Sequence, residues 1–74
     1  MTTDQAPFVL WTVYDKPKDF PGLYVARKFT LTGPTPSAMT SEDLSALRSA
    51  LMRMGLVPMP RSPEDDPVII ETWI

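Results

Sequence analysis

Three adjacent carboxylates, Glu64, Asp65 and Asp66, stand between prolines in "PRSPEDDP", directly before the apolar run "VIIETWI". Clustered oxygens of this type suit hard cations such as Ca²⁺ and Mg²⁺, and exposed carboxylates also suit a basic partner. An EF-hand loop, however, needs alternating ligands, a central glycine and a distal glutamate, and that spacing is missing here. A capped turn explains the same residues more simply. Ser62 can cap a single helical turn, Pro63 suits its first position, and Glu64 and Asp65 then fall where the helix dipole favours negative charge. The turn is the preferred reading, partner recognition through Glu64, Asp65 and Asp66 comes second, and metal binding last. No metal or other cofactor is expected.

The second chemical feature is "ARKF", residues 26 to 29. Alternation along an extended chain puts Arg27 on the same face as Val25 and Phe29. Its guanidinium therefore either reaches past a helix edge to an acid, with Glu71 or the acidic turn as candidates, or the strand is bulged. An internal ion pair is preferred over a phosphate or carboxylate site, because isolated arginines more often extend to the surface than bind ligands. Tyr24 and Lys28 fall on the opposite, uncovered face, where Trp11 or Trp73 could join them as a platform for stacked bases. The RNP-type submotifs are absent, and in a minimal domain tryptophans favour the core.

Catalysis has little to draw on. The chain has no Cys and no His, which removes disulfides, thiolate and imidazole metal sites, and Cys or His catalysis. There is no Gly-rich phosphate loop, nucleophile elbow or zincin signature. Hydrolysis by paired carboxylates needs a cleft between them, which a domain of this size seldom forms alone. The expectation is a protein that is not an enzyme and has no catalytic residues.

These side chains must be positioned by a few short elements. "FVLWTVY", from Phe8 to Tyr14, is aromatic and β-branched and predicts a strand. "LYVARKFTL", from Leu23 to Leu31, alternates, with Leu23, Val25, Phe29 and Leu31 assigned to the core and Tyr24, Ala26, Lys28 and Thr30 to the other side. The connection "DKPKDFPG" is too long for a two-residue turn; Phe20 is expected to fold back on the core edge, and Asp15 and Asp19 to bond loop amides. "TGPTPSA" reads as a polar loop leaving the sheet.

"MTSEDLSALRSALMRMG" has helical spacing. Leu44, Leu47, Leu51 and Met54 form one stripe, with Ala50 beside it, while Ser45, Arg48, Ser49 and Arg53 face away. Thr40 or Ser41 is the expected N-cap, Glu42 and Asp43 the first-turn acids, and Gly55 the residue after the C-cap. "LVPMPRSPEDDP" is too rich in proline for regular structure, and "VIIETWI" predicts a last strand. The predicted fold is α+β, β-β-α-β: a three-stranded, mainly antiparallel sheet of order 2-1-3 with one helix on one face.

The chain of 74 residues carries a formal charge of −2, 9 prolines and no internal repeat, so it reads as one small domain, residues 1–74, with 1–6 flexible. A domain of this size buries only about 60% of the surface its unfolded chain exposes. The prolines stiffen the loops in place of covalent staples. No apolar run approaches a membrane span and no signal-peptide pattern is present, so a soluble, cytoplasmic protein without membrane contact is expected.

The blocks "WTVYDKPKDFPGLYVARKF" and "PRSPEDDPVIIETWI" resemble those of a group of small, uncharacterised bacterial and phage-associated proteins. The resemblance covers about half the chain and implies no activity and no catalytic residue. It suggests an accessory or interaction protein.

One helix covers only one face of such a sheet, which leaves apolar side chains on the other. Such a surface marks a protein partner or a homodimer more often than an active site, although loops could also fold over it. The expected function is therefore binding of an unidentified protein, or of a second copy, through the uncovered face or an edge strand. Tyr24, Arg27, Lys28, Trp11, Trp73, Glu64, Asp65 and Asp66 are the candidate partner-binding residues. The alternative is a nucleic-acid-binding accessory factor using Arg27, Lys28 and Tyr24.

Overall fold

Strand β1, Val9–Asp15, is flanked on both sides, as its nearly continuous hydrophobicity requires. A computed structural model describes residues 8–74; the expected flexible segment 1–6 lies outside them. Strand β2, Tyr24–Thr30, pairs antiparallel with β1, and β3, Gly33–Ser41, pairs antiparallel with β2. Helix α1, Leu44–Arg53, then leads to the short β4, Pro58–Pro60, and to β5, Ile69–Trp73, which pairs antiparallel with both β1 and β4. The sheet has five strands in the order β3-β2-β1-β5-β4.

The expected three strands of order 2-1-3 are thus corrected to five. Both additions come from proline-rich segments read as loops. Proline removes a ladder donor and is excluded from central strands, but an edge strand has one unpaired side where the loss is harmless. Pro34 and Pro36 sit in β3 at one edge of the sheet, and Pro58 and Pro60 in β4 at the other. In β3 the register shifts opposite Lys28, whose carbonyl accepts a hydrogen bond from the Thr35 hydroxyl at 3.0 Å. The β2–β3 turn is Leu31-Thr32, and Gly33, at φ 120°, supplies the left-handed residue that lets the strands separate there.

The helix covers one face of the sheet. Trp11 and Val13 of β1, Ala26 of β2 and Trp73 of β5 pack with Leu47 and Leu51 as the core. Trp11 and Trp73 are direct cross-strand partners. Their bulk decides which face the helix takes, and with it the faces of β2: Tyr24 and Ala26 pack toward the helix, the reverse of the expected assignment. Alternation separates two sets of residues but does not say which set is inside.

Because β3 runs on through Ser41, the helix starts later than predicted. Asp43, rather than Thr40 or Ser41, is the N-cap and accepts from the Ser45 amide at 3.0 Å; Ser41 Oγ accepts from the Asp43 amide at 3.0 Å. The first turn therefore contains no acid. At the other end the Gly55 amide donates to the Met52 carbonyl at 2.9 Å and the Leu56 amide to the Leu51 carbonyl at 3.4 Å, a Schellman pair. Gly55, at φ 83°, occupies the left-handed C′ position predicted for it. Met54 is the C-cap and is exposed rather than part of the core stripe.

Candidate interaction surface

The face of the sheet turned away from the helix is divided into two halves. At one end the β1–β2 connection folds back over it. This connection begins with Lys16 at φ 48° and contains two successive turns, closed by Phe20 N–H to the Pro17 carbonyl at 2.9 Å and Leu23 N–H to the Phe20 carbonyl at 3.1 Å. Asp19 pairs with the Arg27 guanidinium, which also lies 5.8 Å from the Tyr14 ring centre and 5.9 Å from that of Phe20. The cation held by two rings and a carboxylate pins the loop to the strands. Val25, on this face, is consequently 0% exposed although no helix covers it.

Among the described residues the other half has no such cover. Trp73 points to the helix, so Thr72 and Ile74 point away from it. Met59 is the cross-strand partner of Thr72, and Val57 exchanges two backbone hydrogen bonds with Ile74, of 2.8 and 3.0 Å. Val9 likewise faces the helix, which turns Phe8 and Leu10 outward; Leu10 is paired with Phe29. With Leu31 in the adjacent turn, five large apolar residues at this end, Phe8, Leu31, Val57, Met59 and Ile74, are between 46% and 81% exposed. The helix carries two further exposed apolar residues, Met52 and Met54, away from this patch.

The acidic segment is a turn. Ser62 N–H donates to Asp65 Oδ2 at 2.9 Å, Ser62 Oγ accepts from the Glu64 amide at 3.4 Å, and the Ser62 and Glu64 side chains bond to each other. The serine at the cap and the acid three residues on thus satisfy each other's backbone amides or their neighbours', the logic of a capping box compressed into one turn. Asp66 Oδ1 accepts from the Val68 amide at 3.0 Å, and the Val68 carbonyl accepts from the Asp15 amide at 2.7 Å, which anchors the turn beside β1. Arg61 donates to the Asp65 carbonyl at 3.0 Å. Among the described residues no group of three or more acids is arranged to hold a metal ion.

The other candidates are dispersed. Trp11 and Trp73 are buried. Tyr24 packs against the core, and its hydroxyl accepts from Lys16 Nζ at 3.3 Å. Lys28, the cross-strand partner of Trp11, is on the helix side, whereas Arg27 is on the opposite one. Tyr24, Arg27 and Lys28 do not share a face. Arg27 takes Asp19 as its acid, not Glu71 or the acidic turn, and Glu71 belongs to Arg48.

Electrostatic perturbations are modest in kind. Burial raises the Tyr14 pKa above 10.0, with Arg27 opposing and Asp66 assisting. Hydrogen bonding to Tyr24 is the main cause of a raised Lys16 pKa, and hydrogen bonding to Glu71 of a raised Arg48 pKa. All three shifts follow from structural contacts.

A shallow depression of about 420 Å³ between β3 and the helix, lined by Met39, Thr40, Ser41, Ala46, Leu47 and Ala50, carries no titratable group. No helix among the described residues is long and apolar enough to cross a membrane.

Sequence reasoning missed Val57, Met59 and Ile74 as surface partners. The signal was present in "LVPMP", where Val57 and Met59 alternate with prolines at the period of a strand. Comparison with protein families, curated proteins and solved structures finds no match to this chain.

Proposed function

We propose that this chain is a non-catalytic interaction protein whose working surface is the open half of the sheet face. The carrying observation is the convergence there of Phe8, Leu31, Val57, Met59 and Ile74, all strongly exposed, from separate segments of the chain. Scattered apolar residues are ordinary on a surface; a contiguous group on one face is the mark of a docking site. Six of the charged residues have internal uses: Arg27 and Asp19 hold a loop, Arg48 and Glu71 join helix to sheet, and Asp65 and Asp66 satisfy backbone amides.

Of the two docking modes expected, face and edge, the prolines favour the face. Addition of a partner strand to an edge needs a row of free amides, and prolines interrupt that row in both β3 and β4.

A photo-crosslinking residue in place of Met59, compared with one in place of Met52 on the helix, tests the proposal in native extract. Capture of a defined protein, or of a second copy, from position 59 and not from 52 is the expected result. Equal labelling from both positions, or none from 59, would overturn it.

A further inference from the structure

We infer that the occupant of the open half-face is a second copy of this chain, packed sheet against sheet about a two-fold axis; this rests on the reading of that half-face as the working surface. Charge supports a copy over a charged partner. A two-fold contact sets each residue of the patch against the same patch, so an unpaired charge there would meet its like. Of the strand residues on this face only Arg27 is charged, and Asp19 neutralises it within the chain. A copy of this face meets no repulsion, and an acidic or basic partner finds no counter-charge.

Area points the same way. A fully exposed large apolar side chain presents roughly 150–200 Å², on the scale of aromatic burial. The fractional exposures of the five residues then correspond to about 500 Å² of apolar surface, at the upper end of what a monomer ordinarily leaves open. Two such patches together remove about 1,000 Å², the threshold of a specific interface, so the dimer is weak and reversible.

The fold also sets the stoichiometry. The second sheet face carries α1, packed on β2 and β3, and both edges carry prolines, so among the described residues each chain offers one surface for stacking. Face-to-face packing of one surface per chain closes at two copies, whereas edge pairing would run on into a fibre.

Sedimentation equilibrium on the full chain, from about 10 μM to about 1 mM to bracket a weak interface, tests this. The expected result is a reversible monomer–dimer equilibrium that stops at two chains of 8.3 kDa. Met59→Glu and Ile74→Glu should each weaken it about tenfold or more, as like charges set against each other across a two-fold contact do. Met52→Glu, at a helix residue 63% exposed, should leave it unchanged. Far-UV circular dichroism must be that of the wild type for a variant to count, with Val57→Glu as replacement for either face variant that unfolds. A monomer at every concentration, growth beyond two chains, or equal weakening by Met52→Glu overturns the inference. If the wild type is a monomer but crosslinking from position 59 captures a different protein, self-association fails and the interaction surface stands. If position 59 captures nothing, both fail.

Discussion

Glu71 accepts two hydrogen bonds from Arg48, from Nε and Nη2 and each of 2.9 Å, across 23 residues of sequence and between the helix and β5. The same carboxylate accepts the Trp73 indole N–H at 2.8 Å. One side chain, 12% exposed, thereby fixes the helix against the sheet and orients the largest fully buried residue of the core. The arginine is 42% exposed, so the pair is half-solvated and its worth lies between that of a surface ion pair and a buried one.

Removal of the two partners should be unequal. Glu71→Ala leaves the Trp73 N–H without an acceptor in the core and should cost about 2–3 kcal/mol, the usual penalty for an orphaned buried donor plus a lost charged bond. Arg48→Ala leaves Glu71 still bonded to Trp73 and should cost about 1–2 kcal/mol. Urea denaturation of both single variants and the double variant gives the coupling, and equal losses for the two singles would contradict the central role of the indole bond.

Gly55 closes the helix at φ 83°, and a Cβ built there meets nothing within 4 Å. Gly55→Ala should therefore cost about 1–2 kcal/mol from left-handed backbone strain alone, with no steric contribution. Gly55→Asn should recover part of that, because asparagine tolerates this conformation better. A fall in melting temperature for alanine, with a smaller one for asparagine, is the check.

Ser62 serves the acidic turn through both its hydroxyl and its amide. Ser62→Ala keeps the amide bond to Asp65 and loses the hydroxyl contact to the Glu64 amide, so the expected loss is about 0.5–1 kcal/mol, at the lower part of the range for a cap. Ser62→Thr, which keeps the hydroxyl, should restore it. Titration with Ca²⁺ or Mg²⁺ should leave the NMR shifts of Glu64, Asp65 and Asp66 unmoved; saturable shifts would reopen cation binding.

Alkaline pH should lower the stability of the chain in part by way of Tyr14. Burial raises its folded pKa above the ordinary 10.0, so the native state holds the phenolic proton more tightly than the unfolded state does. Its contribution is complete below pH 10.0 and declines as pH rises through the raised folded value. Lys16, also raised, acts with the same sign. Denaturation midpoints should fall above pH 10, and Tyr14→Phe should reduce the slope; an undiminished slope in that variant would assign the effect elsewhere.

Much of the local structure is legible in neighbouring residues alone. Aromatic and β-branched composition marked β1, alternation marked β2, the apolar closing run marked β5, and leucine spacing with Gly55 marked the helix and its end, because these signals depend on neighbours within a few residues. The sequence also indicated that one helix would leave part of a sheet face open. Which face of β2 is inside was settled by long-range packing, on the side where Trp11 meets Trp73 across strands far apart in sequence. The proline-bearing segments became strands because they fell at the sheet edges, where a missing amide has no partner to lose. The choice of acid for each arginine was likewise spatial: Asp19 reached Arg27 by the fold of a loop, and Glu71 reached Arg48 because both lie on the side of the sheet where the helix packs. The open patch at Val57, Met59 and Ile74 exists for the same reason. Its residues are brought together by pairing between strands, and no local pattern records which strands will meet.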